Sequence, residues 1–129
     1  VLNGGNGNDS LDGGTGQDTL SGGAGDDSIY TGRGGPDTIS GGTGFDRLGF
    51  DRSDITAGQN FTFTPGGSFS LTDGTTVTGM EDFSSLWTGA GDDHIAVTIL
   101  GAGSRGIDTG GGTDRVTIDF SALSVGMYS

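Results

Sequence analysis

The stretch that decides the fold is the opening one: Gly4–Asp12 reads GGNGNDSLD, Gly13–Ser21 GGTGQDTLS and Gly22–Tyr30 GGAGDDSIY. After one extra residue, Thr31, come Gly32–Ser40 as GRGGPDTIS and Gly41–Gly49 as GGTGFDRLG. Asp9, Asp18 and Asp27 fall nine residues apart, and Asp37 and Asp46 continue the series. Each unit joins a glycine-rich turn and a carboxylate to a short polar–apolar–polar run. Glycines such as Gly4, Gly5 and Gly7 let the backbone turn tightly with positive φ and point carbonyl oxygens inward. Carboxylate and carbonyl oxygens together are the donors that a hard cation such as calcium takes, six to eight at a time. The run Ser10-Leu11-Asp12 has period two, the signature of a very short strand with one face buried. Leu11, Leu20, Ile29, Ile39 and Leu48 are therefore expected on a common inner face. Nine residues bury nothing alone, so neighbouring units must stack.

Composition points the same way. The chain of 129 residues has 30 glycines, 16 aspartates, a single glutamate (Glu81), no lysine and a net charge of -12. A generally acidic surface would use both acids, whereas a ligand in a cramped turn favours the shorter arm of aspartate. An apolar fraction of 29% is low for a packed globule, and without calcium the composition is that of an acidic, glycine-rich disordered linker. With no cysteine, neither disulfides nor a cysteine–zinc site can staple the fold. The charge argues against nucleic acid and anionic lipid as partners, and no apolar run is long enough for membrane insertion. The start at Val1 and the stop at Ser129 in mid-pattern are expected of a segment of a longer protein.

These units closely resemble the RTX, or haemolysin-type, calcium-binding nonapeptide G-G-x-G-x-D-x-U-x, with U a large apolar residue. The resemblance runs from Gly4 to Gly49 and returns at Thr88–Ala96 (TGAGDDHIA) and Thr109–Thr117 (TGGGTDRVT). It implies an all-β chain folded as a parallel β-roll, a β-solenoid with two nonapeptides per coil. Several calcium ions would lie between successive turns on each edge. Carried over, one implied site is Gly5, Gly7, Asp9, Gly22, Ala24 and Asp27, and the next on that edge is Gly23, Gly25, Asp27, Gly41, Thr43 and Asp46. On the opposite edge Gly14, Gly16 and Asp18 would meet Gly32, Gly34 and Asp37, where Arg33 and Pro36 depart from the pattern. A distant site would join Gly89, Gly91 and Asp93 to Thr109, Gly111 and Asp114.

Four segments are expected: a repeat block over 1–49, an irregular β segment over 50–87, a second, degenerate repeat block over 88–121, and a truncated continuation over 122–129. Arg47–Phe50 reads as a strand leaving the roll. Asn60–Thr64, Ser68–Thr72 and Thr75–Thr78 read as strands, with turns at Pro65-Gly66-Gly67 and Asp73-Gly74. Val77, Met80, Phe83 and Leu86 recur every three residues and are expected to fill the core. Residues 44–53 align with 112–121, each ending in a strand and Asp-x-Ser, a second-order repeat. In the damaged unit Leu100–Asp108, Arg105 stands where the calcium aspartate belongs. A guanidinium can pair with carboxylates that a cation would otherwise bridge, and Asp82 and Asp73 are its upstream candidates.

Other motifs carry little. Gly101–Gly106 fits G-x-G-x-x-G, but no helix can follow it. The sequons Asn8-Asp9-Ser10 and Asn60-Phe61-Thr62 read as chance. His94 should face solvent, and the neighbours Asp26-Asp27 and Asp92-Asp93 should diverge rather than form a glycosidase-like pair. With no catalytic set to assemble, the chain reads as a non-enzymatic, calcium-dependent structural module of a secreted or cell-surface bacterial protein of adhesin, surface-layer or filament type. The alternative is the non-catalytic region of a secreted hydrolase, epimerase or toxin. Self-association or a surface partner stays open beside the calcium ions.

Overall fold

The computed structural model describes residues 1–99 and 105–121, and its regular elements are all strands. In chain order they are β1 (Leu2–Asn6), β2 (Ser10–Asp12), β3 (Thr19–Ala24), β4 (Ser28–Tyr30), β5 (Thr38–Thr43), β6 (Arg47–Asp51) and β7 (Asn60–Phe63). There follow β8 (Ser68–Ser70), β9 (Thr76–Thr78), β10 (Asp82–Trp87), β11 (His94–Thr98), β12 (Gly106–Asp108) and β13 (Arg115–Asp119). They form three sheets, ordered β1-β3-β5-β9-β8, β12-β10-β6-β4-β2 and β13-β11-β7. Through β6 the chain changes sheet at every nonapeptide, odd strands joining the first sheet and even strands the second. Every pairing is parallel except β8 on β9, a hairpin.

The register places like residues in columns. Leu20 lies between Leu2 and Ile39, and Val77 follows Ile39; in the second sheet Leu11, Ile29, Leu48 and Phe83 align. The three-residue strands β2, β4 and β9 bury only their middle residue, as the alternation requires. Leu20, Ile29, Ile39 and Leu48 are fully buried and Leu11 is 9% exposed, so the expected inner face forms. Each such side chain contributes about 1.5–3 kcal/mol, which is small beside the roughly 1–2 kcal/mol per residue lost in backbone entropy.

Three expectations change. Arg47–Phe50 does not leave the stack: β6 is the central strand of the second sheet, between β4 and β10. Residues 50–87 are not irregular throughout, because β9 and β10 extend the first and second sheets in register. Only the stretch between β6 and β9 is inserted, and it contributes β7 to the third sheet and β8 to the hairpin. The three-residue spacing of Val77, Met80, Phe83 and Leu86 also gains a geometry. Val77 faces in from β9, Met80 plugs the turn, and a register shift between Phe83 and Ser85 lets Phe83 and Leu86 both point inward from β10.

The inserted stretch brings aromatic rings to the core. Phe61 stacks on Phe69 at 4.7 Å between centroids, and Phe63 meets Phe83 edge-on at 5.2 Å. The second-order repeat is real in its local turn: Ser53 N–H donates to Asp51 Oδ1 (3.1 Å) and Ser121 N–H to Asp119 Oδ1 (2.8 Å). It is not real in position, because β6 belongs to the second sheet and β13 to the third. Leu100–Ser104 and residues 122–129 lie outside the described residues.

Candidate metal centres

The repeat aspartates end the turns and form ladders along two edges of the stack. On the edge leading into the second sheet, Asp9 N–H donates to Asp27 Oδ1 (2.8 Å) and Asp27 N–H to Asp46 Oδ1 (2.9 Å). On the edge leading into the first sheet, Asp18 N–H donates to Asp37 Oδ1 (2.8 Å). One carboxylate oxygen of each upper aspartate is thus spent on holding the turn below. Oδ2 of Asp9, Asp18, Asp27, Asp37 and Asp46 is buried and accepts no hydrogen bond. A buried, unpaired carboxylate oxygen costs several kcal/mol unless a cation meets it.

The surroundings of those oxygens are also made of oxygen. A methyl group on Gly4 would sit 2.6 Å from both Asp9 Oδ2 and the Gly22 carbonyl oxygen. The same cradle recurs beside Gly22, with Asp27 Oδ2 and the Gly41 carbonyl. Beside Gly13 it is formed by Asp18 Oδ2 and the Thr31 carbonyl. Carbonyls from the lower turn complete the set. Gly5 and Gly7 have φ of +93° and +104°, conformations that an L residue resists. Their carbonyls press against Gly23 and Gly25 of the next turn, where a Cβ would collide. Ala24 and Thr43 carbonyls accept the Gly7 (2.7 Å) and Gly25 (2.9 Å) amides, keeping a second lone pair each.

Burial pushes the Asp37 and Asp46 carboxyls up from their ordinary value of 3.8. For Asp37 the Asp18 amide and the Arg52 guanidinium oppose this rise. For Asp46 the Asp27 amide opposes it, while the negative charges of Glu81, Asp27 and Asp26 add to it.

The opposite edge corrects the implied ligand set. Gly32 lies over Gly14, Gly34 over Gly16, and Arg33 pairs with Thr15. The Gly16 amide donates to the Arg33 carbonyl at 3.1 Å, as Gly7 does to Ala24. Thr31 is therefore the first residue of its turn, and the extra residue falls at Gly35-Pro36. The upper carbonyls facing Gly14, Gly16 and Asp18 are those of Thr31 and Arg33, not of Gly32 and Gly34.

The distant pair comes together. Gly110 sits on the Gly89 carbonyl, Gly112 on the Gly91 carbonyl, and Asp93 N–H donates to Asp114 Oδ1 (3.0 Å). Thr109 and Gly111 are then the first and third residues of the upper turn. Here the cradle differs, because Thr88 replaces the first glycine. Its hydroxyl donates to Asp93 Oδ2 at 2.6 Å, so that oxygen is already paired.

Several participants were not foreseen. Glu81 continues the Asp46 ladder and Thr75 the Asp37 ladder, accepting the aspartate amides at 2.8 and 3.1 Å. Gln59 starts the Asp93 ladder, its backbone N–H donating to Asp93 Oδ1 (2.7 Å). Asp26 and Asp92 diverge from Asp27 and Asp93 and accept the Phe45 (2.9 Å) and Thr113 (2.8 Å) amides on the outside. Arg52 is buried, with its guanidinium 2.5 Å from Asp73, 3.4 Å from Asp54 and 3.5 Å from Asp37 Oδ2. Arg105 pairs with Asp82, at 2.6 Å, rather than with Asp73. His94 is exposed, as expected. Among the described residues no three acidic or histidine side chains converge on one point, so each candidate centre rests on two carboxylates plus backbone carbonyls.

The model of the RTX calcium-binding nonapeptide repeat matches residues 3–35, 31–48 and 72–97, more than half of the chain. The chain belongs to that family. RTX nonapeptide repeats bind calcium, and the paired carboxylates and carbonyls supply the hard oxygen donors that it takes. The match at 72–97 begins within the stretch expected to be irregular and covers β9 and β10. No curated protein and no solved structure matches the chain.

Proposed function

We propose that this RTX chain is a β-roll that calcium folds, serving as a structural module of a secreted or cell-surface protein of adhesin, surface-layer or filament type. The observation that carries the reading is the row of buried Oδ2 atoms without hydrogen bonds, of which those of Asp9, Asp18, Asp27 and Asp46 lie beside a carbonyl of the next turn. Three centres follow. Gly5, Gly7, Asp9, Gly22, Ala24 and Asp27 hold one ion, and Gly23, Gly25, Asp27, Gly41, Thr43 and Asp46 hold the next. On the opposite edge Gly14, Gly16 and Asp18 act with Thr31, Arg33 and Asp37. A fourth, weaker centre joins Gly89, Gly91 and Asp93 to Thr109, Gly111 and Asp114, where the ion must displace the Thr88 hydroxyl bond.

Calcium supplies the positive charge that lets neighbouring turns bring their carboxylates together. At the roughly 4.8 Å strand spacing, two carboxylates repel by about 3–4 kcal/mol at an effective dielectric of 20. That exceeds the gain from burying one leucine. In a calcium-poor cytoplasm the chain would stay open for export by a type I secretion channel, and it would fold outside in millimolar calcium. It performs no chemistry in this reading. Arg105 acts as a fixed cation for Asp82, where the repeat has no aspartate to offer. Anomalous diffraction from calcium-loaded crystals should show ions between Asp9 and Asp27, Asp27 and Asp46, and Asp18 and Asp37. Absence of an ion between Asp9 and Asp27 would overturn the assignment.

A further inference from the structure

We propose that Asp46 and Glu81 hold an additional calcium ion at the point where the nonapeptide pattern stops on the second-sheet edge. This rests on the calcium reading of the neighbouring centres. Asp46 is fully buried, and its Oδ2 has no hydrogen-bond partner. That oxygen faces a cradle of the same kind as those below it. A methyl group on Gly41 would sit 2.6 Å from Asp46 Oδ2 and would also collide with the Gly79 carbonyl oxygen. The Gly42 carbonyl oxygen lies 3.7 Å from where a Cβ of Gly79 would stand.

Glu81 supplies the second carboxylate. It accepts the Asp46 amide through Oε2 at 2.8 Å, as Asp27 accepts that of Asp9 and Asp46 that of Asp27. The turn here is short: Gly79, Met80 and Glu81 replace a hexad, and the Met80 side chain is buried in the core. The backbone of the turn stays in register, with the Glu81 amide donating to the Asp46 carbonyl at 3.0 Å, so the only glutamate in the chain takes the place of the next repeat aspartate and closes the ladder. With fewer carbonyls than a full pair of turns, the site must complete its shell with water. Calcium tolerates such variable coordination better than magnesium does.

Among the described residues neither Asp46 nor Glu81 has an ion-pair partner, while Arg47 and Arg105 both turn to Asp82, at 3.4 and 2.6 Å. The opposite edge shows the alternative. There the ladder ends at Thr75, and Arg52 brings its guanidinium to Asp37 Oδ2 at 3.5 Å. One edge therefore ends on a protein cation, and the other on two carboxylates and a carbonyl.

The test is the number of calcium ions bound per chain, measured by equilibrium dialysis and titration calorimetry on the whole chain and on Glu81→Gln. Glutamine keeps an oxygen for the Asp46 amide and removes the charge. The variant should bind one ion fewer and lose none of the others. An unchanged ion count and affinity would overturn the inference while leaving the other centres standing; an original chain that binds no calcium would overturn both. If Glu81→Gln does not fold in saturating calcium, Glu81→Thr carries the test, because a threonine hydroxyl already accepts the aspartate amide at the end of the opposite ladder, where Thr75 accepts that of Asp37. It should fold with one ion fewer, and an unchanged count or failure to fold overturns the inference.

Discussion

The turns at Gly4–Asp9 and at Thr88–Asp93 have the same hexad outline but treat their aspartates differently. In the first, a glycine without a side chain leaves Asp9 Oδ2 facing a carbonyl, with no proton to accept. In the second, a threonine at the same position fills the space and gives Asp93 Oδ2 a hydroxyl proton. A third solution appears at Asp37, where Arg52 brings a permanent charge. The three cases teach that the aspartate does not by itself make a calcium centre. The first residue of the turn, and whatever cation the protein already supplies, decide whether the carboxylate needs an ion.

The largest effect should come from Asp27, which serves two proposed centres. Asp27→Asn preserves an acceptor for the Asp9 amide and removes the charge from both. An ion at a hundred times its dissociation constant adds about 2.7 kcal/mol, so losing two costs about 5 kcal/mol in saturating calcium. Chemical denaturation in saturating calcium should show that loss.

Arg52→Met should come next and behave in the opposite way. It strands the buried Asp37 and leaves the more exposed Asp54 and Asp73 without their cation, and removing one partner of a buried ion pair costs about 3–5 kcal/mol. Added calcium should restore part of that loss by entering beside Asp37, seen as a steeper dependence of melting temperature on calcium than in the original chain. A loss with no calcium dependence would show that Arg52 packs the core without standing in for an ion.

Much of this was legible in the sequence, for a physical reason. Leu11 to Leu48 and Asp9 to Asp46 repeat because each unit meets the same neighbours, so one unit's chemistry describes all of them. Reading failed where the count per circuit changed. The extra residue near Thr31 can be absorbed before or after Arg33, and only the stacking of Gly32 on Gly14 places it at Gly35-Pro36. The three-residue turn at Gly79–Glu81 has no hexad to align, although a lone glutamate in an aspartate-rich chain was the available signal. Arg52 stood in the quoted second-order repeat, yet its carboxylate partners Asp37 and Asp73 are distant in sequence and were not inferable from spacing.

Thr88→Gly should have a smaller effect. Removing the hydroxyl bond to Asp93 Oδ2, worth about 1 kcal/mol, reopens the cradle. Calcium affinity at the Asp93–Asp114 centre should rise by about fivefold, resolved by calorimetry as a tightening of the weakest class of sites. Unchanged affinity would mean that the threonine is neutral and the comparison with Gly4 has no energetic content.

The smallest effect should be on pH dependence. Burial raises the folded-state values of Asp37 and Asp46 above 3.8, so the fold favours their protonated forms. That stability is fully present below the ordinary carboxylate value and is lost as pH rises through the raised ones. Any calcium-free folded population should therefore grow as pH falls from neutral toward about 4, whereas the calcium-loaded protein should lose stability over the same range as protons compete for its ligands. Thermal melts at both pH values, with and without calcium, check the two signs.

Circular dichroism of the chain in chelator, followed by calcium titration, tests the central claim most directly. A disordered spectrum is expected in chelator and a cooperative rise of β signal as calcium approaches millimolar, with magnesium a poor substitute. A chelated protein that keeps the same β spectrum and melting temperature as the calcium-loaded one would contradict it.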